Sequence, residues 1–324
     1  MRKVLHVGPC NTPGGMATVM HTLAEFPPDG WQADLLASHA TGSVWAKWRA
    51  YRQARREIHR RCTDQAAKPD VVHVHTAADW SWRRKQRLIE LVRHHGVPVV
   101  AHLHSGQFDQ WLGSPEGTRA QRFRRFATSN QLTLVVLSEA WKQRLSSSIG
   151  PSVVVGNPVH PRYAPSPAPR TPHQLLLMGR DDPVKGHDFA IRVAARLRED
   201  FPSLELTMTG RDRSEHTFVN ALGWVTEKEK LRLLQSASVL LLPSSHEGQP
   251  LVALEAAACG LPVLAHKDLH SLPDGTFTTG PSLDEWVETL RGLLSTPTVP
   301  VQNVLEHSVE AARASWASIY DAMA

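Results

Sequence analysis

Two glutamates, Glu247 and Glu255, stand eight residues apart in the stretch HEGQPLVALEAAACG. A proline near its start and a glycine at its end predict a short helix over residues 250–258. One carboxylate then precedes the helix, and the other lies about 12 Å further along. Carboxylates accept hydrogen bonds from paired sugar hydroxyls, and a helix N-terminus attracts phosphate. The stretch therefore suits a sugar nucleotide, although a capping acid followed by an ordinary surface glutamate would give the same spacing.

A second loop, GRDDPVKGHD, carries two cations five residues apart, Arg180 and Lys185, between a predicted strand and a predicted helix. Cations in front of an electropositive helix N-terminus can hold a diphosphate and neutralise the charge that grows as it leaves. Open α/β sheets bind ligands at the C-terminal ends of their strands, which favours this interpretation. The alternative is a solvated loop in which Arg180 pairs with Asp181 or Asp182.

The first loop of the chain is GPCNTPGGMATVM, in which Gly14 and Gly15 precede a helix predicted to begin near residue 16 or 17. Glycines at this position let backbone N–H groups approach a phosphate closely. The loop matches neither the G-x-G-x-x-G nor the G-x-x-x-x-G-K-[ST] pattern. A plain tight turn explains the two glycines equally well.

Short apolar strands alternate with longer amphipathic segments along the chain. A proline-rich passage over 156–173 interrupts this rhythm, which then starts again. We therefore predict an α/β protein of two doubly wound domains, joined by a linker, with a ligand in the cleft between them. The predicted strands lie at 3–7, 71–75, 97–102 and 132–137, and then at 174–179, 204–210 and 238–243, with helices at 187–200 and 226–237 in the second domain.

The composition of the 324-residue chain is globular, with 41% hydrophobic and 21% charged residues, and no apolar run is long enough to cross a bilayer. The N-terminus reads as a first strand rather than as a signal peptide. Three unpaired cysteines fit a reducing compartment, so a cytoplasmic location is expected. The formal net charge of +5 is compatible with an anionic ligand or surface.

Much of the positive charge lies in the segment 44–61, VWAKWRAYRQARREIHRR, which mixes aromatic and basic residues at helical spacing. Such a helix could lie on anionic lipid headgroups, so that the protein would be peripheral on the cytoplasmic face of a membrane. The alternative is a surface helix whose aromatic side chains pack on their own domain.

Five stretches together resemble retaining glycosyltransferases of the GT-B fold, glycosyltransferase family 4. They are PGGM, HLHSGQF, GRDDPVKG, GWVTEKEKLRLLQSASVLLLPS and HEGQPLVALEAAACGLPVLA. The resemblance covers nearly the whole chain and implies two Rossmann-like domains with a cleft between them. It implies an acceptor-binding domain over 1–158, a nucleotide-sugar domain over 159–305, and a final helix over 306–324 that packs back on the first domain.

The resemblance also implies roles for residues. Glu247 would contact the donor sugar hydroxyls, Glu255 the ribose, and Arg180 with Lys185 the diphosphate. His104 matches the family's active-site histidine, although His102 could be the matching residue, and a histidine that only satisfies polar groups of the core is the alternative for both. The implied catalytic set is His104, Glu247, Arg180 and Lys185, and the implied donor-binding set is Gly14, Gly15, Arg180, Lys185, Val225, Glu247, Gly248, Gln249, Leu251, Val252 and Glu255. Gln249 departs from the family pattern, which more often shows an aromatic residue there.

Such an enzyme would transfer a hexosyl group from a nucleoside-diphosphate sugar with retention of configuration, with UDP as the favoured nucleotide and GDP next. No second carboxylate suited to a double displacement is evident, so a front-face reaction through an oxocarbenium-like ion pair is expected. The chain contains no D-x-D carboxylate pair, so no essential metal and no cofactor are expected.

The expected acceptor is a sugar or a lipid-linked saccharide of cell-surface polysaccharide synthesis. The passage over 72–108, which includes Arg84 and Lys85, resembles bacterial transferases that extend lipid-linked oligosaccharides. No nucleic-acid partner is expected. Two other functions stay open at this point: a GT-B nucleotide-sugar epimerase or hydrolase, and a non-catalytic protein that binds nucleotide sugars.

Overall fold

The computed structural model describes residues 1–296 and 304–324, which form two compact units. Unit 1 combines Met1–Pro158 with Glu306–Ala324, and unit 2 is Val159–Leu305. Each unit contains one six-stranded sheet in which every neighbouring pair of strands is parallel. Parallel strands need long crossovers, and helices provide them in both units.

Unit 1 begins with a nearly regular alternation of strands and helices. Its elements in this part of the chain are β1 (Arg2–Gly8), α1 (Gly15–Glu25), β2 (Trp31–Ala37), α2 (Val44–Thr63), β3 (Val71–Thr76), α3 (Trp80–His94), β4 (Val99–Leu103), α4 (Phe108–Leu112), α5 (Thr118–Ser129), β5 (Thr133–Val136), α6 (Glu139–Ile149) and β6 (Val153–Val154). The buried valines and leucines of the strands pack with the apolar faces of α2, α3 and α5 in one core.

Unit 2 repeats the pattern with shorter strands and its own core. Its elements are β7 (Gln174–Leu177), α7 (His187–Leu197), β8 (Glu205–Met208), β9 (Val219–Ala221), α8 (Glu227–Ser236), β10 (Val239–Leu242), α9 (Leu251–Ala258), β11 (Val263–His266), β12 (Phe277–Thr279) and α10 (Leu283–Ser295), with a 3₁₀ turn over Pro183–Lys185.

The last helix, α11 (Val309–Asp321), belongs to unit 1. Ser308 caps it, Trp316 and Tyr320 are buried on its apolar side, and Asp321 accepts a hydrogen bond of 3.0 Å from the indole of Trp31. Apolar burial and this polar contact hold the helix against the sheet, with a 3₁₀ turn over Leu305–His307 in front of it.

The strand order places one switch point in each sheet. The order in unit 1 is β2-β1-β3-β4-β5-β6, and in unit 2 it is β12-β11-β10-β7-β8-β9. Successive crossovers therefore diverge between β1 and β3 in unit 1, and between β7 and β10 in unit 2. The crevice at such a point, outside the carboxyl ends of the strands, is where open α/β sheets bind ligands.

All seven predicted strands are confirmed, and the strands β2, β6, β9, β11 and β12 were not predicted. The proline-rich passage contains neither helix nor strand. Arg170 fixes the passage to unit 2, because its guanidinium donates to the carbonyl oxygens of Leu234, Ala237 and Cys259 at 2.9, 3.0 and 2.6 Å.

Candidate functional site

The switch point of unit 2 brings together the loop after β7 and the loop after β10. Lys185 comes from the first loop and Glu247 from the second, and the Lys185 ammonium donates to the Glu247 carboxylate at 2.5 Å. Both side chains are mostly buried. Two residues predicted from separate motifs, 62 positions apart, are therefore in direct contact at the strand ends.

Backbone contacts fix the distance between these two loops. The Ser245 amide donates to the Val184 carbonyl at 3.0 Å. Gly186 has a φ of 73°, and a Cβ at this position would lie 2.9 Å from Pro243. A larger residue at position 186 would therefore push the loops apart, in addition to adopting a disfavoured backbone conformation. The glycine permits the approach that the Lys185–Glu247 pair requires.

Helix α9 begins at Leu251, with Pro250 at its N-cap position, one residue later than the predicted start. Its first turn contains no acidic residue, and its N-cap residue, Pro250, makes no side-chain cap hydrogen bond. Gly248, Gln249 and Leu251 are buried, and Val252 is half-buried. Glu247 precedes the helix in the chain and is paired with Lys185, and the first turn of α9 holds no acidic residue, so the positive helix end suits an anionic ligand.

Glu255 lies inside α9 and is 1% exposed. The Lys230 ammonium donates to one of its oxygens at 2.6 Å, and the same ammonium lies 5.2 Å from the ring centre of Tyr163. Burial raises the pKa of the Glu255 carboxyl, and the nearby Lys230 charge opposes this. Burial and the charge of Glu255 also raise the pKa of Tyr163, whose hydroxyl donates to Glu227 at 2.7 Å.

These positions rule out the plain alternative for the two glutamates. Glu247 does not cap α9, and Glu255 is not a surface residue of the helix. Both carboxylates are instead held by lysines from other elements.

Arg180 does not share the Lys185–Glu247 contact. Its side chain is 64% exposed and lies 3.8 Å from Asp182, as the solvated-loop alternative predicted, whereas Asp181 pairs with Arg211 at 2.8 Å. Arg180 therefore lies near an acid of its own loop, whereas Lys185 contacts the loop after β10. Val225, in the loop before α8, is half-buried.

The glycine loop of unit 1 follows β1. Gly14 is the N-cap residue of α1 with a φ of 137°, Gly15 begins the helix, and both are exposed. Gly8 ends β1, and a Cβ there would lie 2.3 Å from the sulfur of Met20. The loop is therefore open at its glycine pair, while Gly8 lets α1 approach the sheet.

Five histidines, four buried and one half-buried, form a group on one face of the unit 1 sheet. His6 faces His75 at 3.0 Å, and His75 faces His104 at 3.0 Å. On a parallel line, His73 lies 2.7 Å from the Tyr320 hydroxyl and 3.2 Å from His102. Burial lowers the pKa of all five, to about 3 for His6 and His104. These imidazoles are neutral at pH 7, and we refer to them as the histidine array.

The two candidates for the active-site histidine, His102 and His104, differ in burial and in position within the array. His102 is completely buried, and its ring centre lies 5.2 Å from that of the Trp316 indole, with the two ring planes tilted by 57°. His104 lies just beyond the end of β4 and is half-buried. Of these two, only His104 is not completely buried and lies beyond its strand, at the carboxyl-end edge where open α/β sheets bind ligands.

The basic segment forms α2, in which Tyr51 and Ile58 pack on the core as the plain alternative predicted. Trp45, however, is 75% exposed, and Trp48 is 48% exposed. A groove of about 570 Å³ lies between α2 and α3. It is lined by Trp48, Tyr51, Arg52, Arg55, Arg56, His59, Arg87 and Leu91, without an acidic residue. Among the described residues, no helix is long and apolar enough to cross a bilayer.

Sequence reasoning missed the partners of the predicted residues. Lys230 was part of a quoted motif, but its pairing with Glu255 is visible only in the fold. The signal for the histidine array was present, since His73, His75, His102 and His104 alternate along two strands with the period that places side chains on one face.

Two family models match this chain. The model described as Glycosyltransferase Family 4 matches residues 13–163, and the model described as Glycosyl transferases group 1 matches residues 172–295. The first covers most of unit 1, and the second covers most of unit 2, including Lys185, Glu247 and Glu255.

The curated proteins similar to this chain include a glycogen synthase and a glycosyltransferase. A glycogen synthase of Mycobacterium tuberculosis is 30% identical over 62% of this chain and 53% of its own length. A D-inositol 3-phosphate glycosyltransferase of Pseudarthrobacter chlorophenolicus is 28% identical over 44% of this chain and 39% of its own length. The chain thus spans about half or less of these relatives.

Solved structures show the fold. A sucrose-phosphate synthase of Thermosynechococcus elongatus has a TM-score of 0.73 at 15% identity, and the match covers 99% of this chain and 98% of that chain. The catalytic domain of starch synthase IV of Arabidopsis thaliana, bound to ADP and acarbose, has a TM-score of 0.69 at 12% identity, with 99% of both chains covered. From these matches, the chain belongs to glycosyltransferase family 4 and has the GT-B fold.

Proposed function

We propose that this protein is a retaining glycosyltransferase that moves a hexosyl group from a nucleoside-diphosphate sugar, with UDP favoured over GDP, to a sugar or lipid-linked saccharide. The observation that carries the proposal is the Lys185–Glu247 pair in the loops that precede α7 and α9, together with the absence of an acidic residue from the first turn of α9. This arrangement combines a cation and a helix dipole for phosphate with a carboxylate for sugar hydroxyls.

The pair itself suggests how the donor is bound. A diphosphate that reaches Lys185 competes with Glu247 for the ammonium group. When the lysine turns to phosphate, the carboxylate of Glu247 is released beside the sugar that the phosphate carries. The contact would then keep both side chains in place without substrate and divide their roles when the donor binds.

Lys185, the N-terminus of α9 and Arg180 then stabilise the negative charge that develops on the departing diphosphate. Arg180 is exposed on the same loop as Lys185 and must leave Asp182 to take part. The carboxyl of Glu255 is proposed to hold the ribose, and His104 is the proposed contribution of unit 1 to sugar binding. We propose no essential metal, because the chain lacks a D-x-D pair.

We further propose that α2 brings the protein to the cytoplasmic face of a membrane, where a lipid-linked acceptor would be found. Exposed tryptophans beside a groove with four arginines suit the boundary between acyl chains and anionic headgroups.

Product analysis tests the reaction. The protein is incubated with UDP-glucose, UDP-N-acetylglucosamine or GDP-mannose, together with prenyl-diphosphate saccharides or free oligosaccharides, and the products are followed by proton NMR. The proposal predicts a new glycosidic bond with the anomeric configuration of the donor, formed equally with and without EDTA. Inversion, loss of turnover in EDTA, or release of free or epimerised sugar with every acceptor would contradict it.

A further inference from the structure

The second turn of α3 carries two adjacent cations, Arg84 and Lys85, near the C-terminal ends of β1 and β2. Lys85 is 2% exposed. Its ammonium donates to the carbonyl of Val7 at 3.4 Å and to the hydroxyl of Ser38. A buried ammonium group is stable when an acid pairs with it. Among the described residues, no carboxylate forms a salt bridge with either cation, so their charges are uncompensated within unit 1.

Two further nitrogen atoms beside Lys85 are buried without a partner in the described part of the chain. They are Nε of Arg84 and Nδ1 of His39. His39 follows Ser38 in the loop between β2 and α2. Burial and then the charges of Arg84, Lys47 and Lys85 lower its pKa. Buried polar atoms are normally satisfied, so the coincidence of two unpartnered nitrogens and an uncompensated lysine needs an explanation.

A purely structural lysine is the alternative. Lys85 does connect α3 to the ends of β1 and β2 through Val7 and Ser38. That role accounts for neither Arg84 nor His39, however, since both leave a buried nitrogen unused. A single anion would satisfy these donors and neutralise the charge of Lys85 beneath them.

We propose that Arg84, His39, Ser38 and Lys85 form a site for the phosphate group of the acceptor. The inference rests on the proposed transferase function, because it assigns the group that the acceptor presents to unit 1. Arg84 and His39 would contact the phosphate directly. Lys85, whose ammonium donates to the Ser38 hydroxyl, would stabilise the phosphate by its charge without touching it. The ligand class is a phosphate or diphosphate monoester.

The surroundings favour a prenyl diphosphate over a soluble sugar phosphate. Trp80, one turn before Arg84, is 65% exposed, and Val44 and Trp45 at the start of α2 are also exposed. An isoprenoid chain could lie on these apolar side chains while its diphosphate reaches the cations.

Anion binding at this site should take up protons. Burial and the charge of Arg84 lower the pKa of Lys85 to about 7, with an opposing contribution from Cys10. The other charged groups near the site, His39 and Lys47, come from the β2–α2 loop and α2. A bound dianion favours the charged form of Lys85 and raises its pKa. At pH 8, where a terminal phosphate with a pKa near 6 is already ionised, binding should take up about one proton.

The test is calorimetric titration of the full chain with geranyl diphosphate at pH 8, in the presence of saturating UDP and in two buffers of different ionisation enthalpy. Arg84→Gln is expected to weaken binding about 10- to 100-fold. Arg122→Gln, the same change at an exposed position of α5, should leave binding unchanged. Glucose 1-phosphate and inorganic phosphate are titrated in the same way. If they bind as tightly as geranyl diphosphate and their binding requires Arg84, the anion site is supported, but its ligand is a sugar phosphate rather than a prenyl diphosphate.

The inference is wrong if none of these anions binds, if Arg84→Gln has no effect, or if no protons are taken up at pH 8. Lys85→Met should abolish the proton uptake. If this variant does not fold, the affinity of Arg84→Gln and the number of protons taken up by the wild-type protein still show whether the anion site exists. UDP titrated alone separates the two proposals. UDP binding without anion binding overturns only this inference, whereas loss of all nucleotide binding would overturn the proposed function.

Discussion

Buried lysines have carboxylate partners in unit 2 and uncharged partners in unit 1. In unit 2, Lys185 and Lys230 each contact a glutamate, at 2.5 and 2.6 Å. In unit 1, Lys85 is at least as buried, yet its partners are a carbonyl and a hydroxyl. A paired site is stable before the ligand arrives and must exchange partners to bind it, while an unpaired site is strained until an anion arrives. The difference suggests that unit 2 is built for a ligand with both phosphate and hydroxyl groups, and unit 1 for one whose recognised group is anionic.

The largest expected difference between the units is in how much stability each loses at acidic pH. The five imidazoles of the histidine array stay neutral in the folded state, since burial lowers their pKa, but they gain protons near pH 6.5 when the chain unfolds. The unfolded state binds more protons below pH 6.5, so stability falls as pH falls. The slope approaches about 7 kcal/mol per pH unit for five protons.

Hydrogen exchange at pH 7, 6 and 5, corrected for intrinsic rates, measures this effect. Strands β1, β3 and β4 should lose protection before β7, β8 and β10, because His187 is the one completely buried histidine among the described residues of unit 2. Equal loss of protection in both sheets would show that the array does not control acid stability.

Lys230→Met should have the next largest effect. It leaves the buried carboxyl of Glu255 without its cation, which should destabilise unit 2 by about 3 kcal/mol. Urea unfolding at pH 7 measures the change. Lys228→Met, an exposed position on the same helix, is the matched control, and an equal effect of both variants would contradict the importance of the Lys230–Glu255 pair.

Lys85→Met should act in the opposite direction. The variant removes an uncompensated buried charge, so unit 1 should gain about 2 kcal/mol at pH 7. The pKa of Lys85 is about 7 in the fold and 10.5 in its absence, so wild-type stability rises as pH increases from 7 to 10. The advantage of the variant should therefore shrink over this range. A destabilised variant at pH 7 would show that the contacts with Val7 and Ser38 outweigh the cost of burying the charge.

The smallest expected effect concerns membranes. Replacing Arg52 and Arg56 with glutamine should weaken binding to vesicles containing phosphatidylglycerol by about 1 kcal/mol per charge at low salt. Trp45→Ser should weaken binding to both anionic and neutral vesicles. Co-sedimentation measures both variants, and binding that ignores salt and both replacements would remove α2 as a membrane contact.

The fold could be predicted from the sequence because its signals are local. Apolar strands, helical spacing and the proline-rich passage are each contained within a few residues, and the seven predicted strands carry the strongest of these signals. The strands that were missed are short or polar. Edge strand β2, WQADLLA, includes an aspartate and a glutamine, and β6 is two residues long.

The site could be predicted only in part, because pairing depends on tertiary contacts. Lys185 and Glu247 were both singled out, but nothing local indicates that they meet. Arg180 and Lys185 were predicted to bind a diphosphate together, and the structure shows Arg180 near Asp182, one of the two acids of the solvated-loop alternative. Lys85 did leave a signal: with Trp82, Leu88 and Val92 it lies on the apolar stripe of α3, where a lysine is unusual.

Calorimetric titration with UDP, GDP and ADP tests most directly whether unit 2 binds a nucleoside diphosphate through Lys185. We expect one of them, UDP first, to bind the wild-type protein and Lys228→Met equally, and Lys185→Met to weaken this binding about 100-fold. Binding of no nucleoside diphosphate, or equal binding to Lys185→Met, would show that Lys185 does not hold a nucleotide.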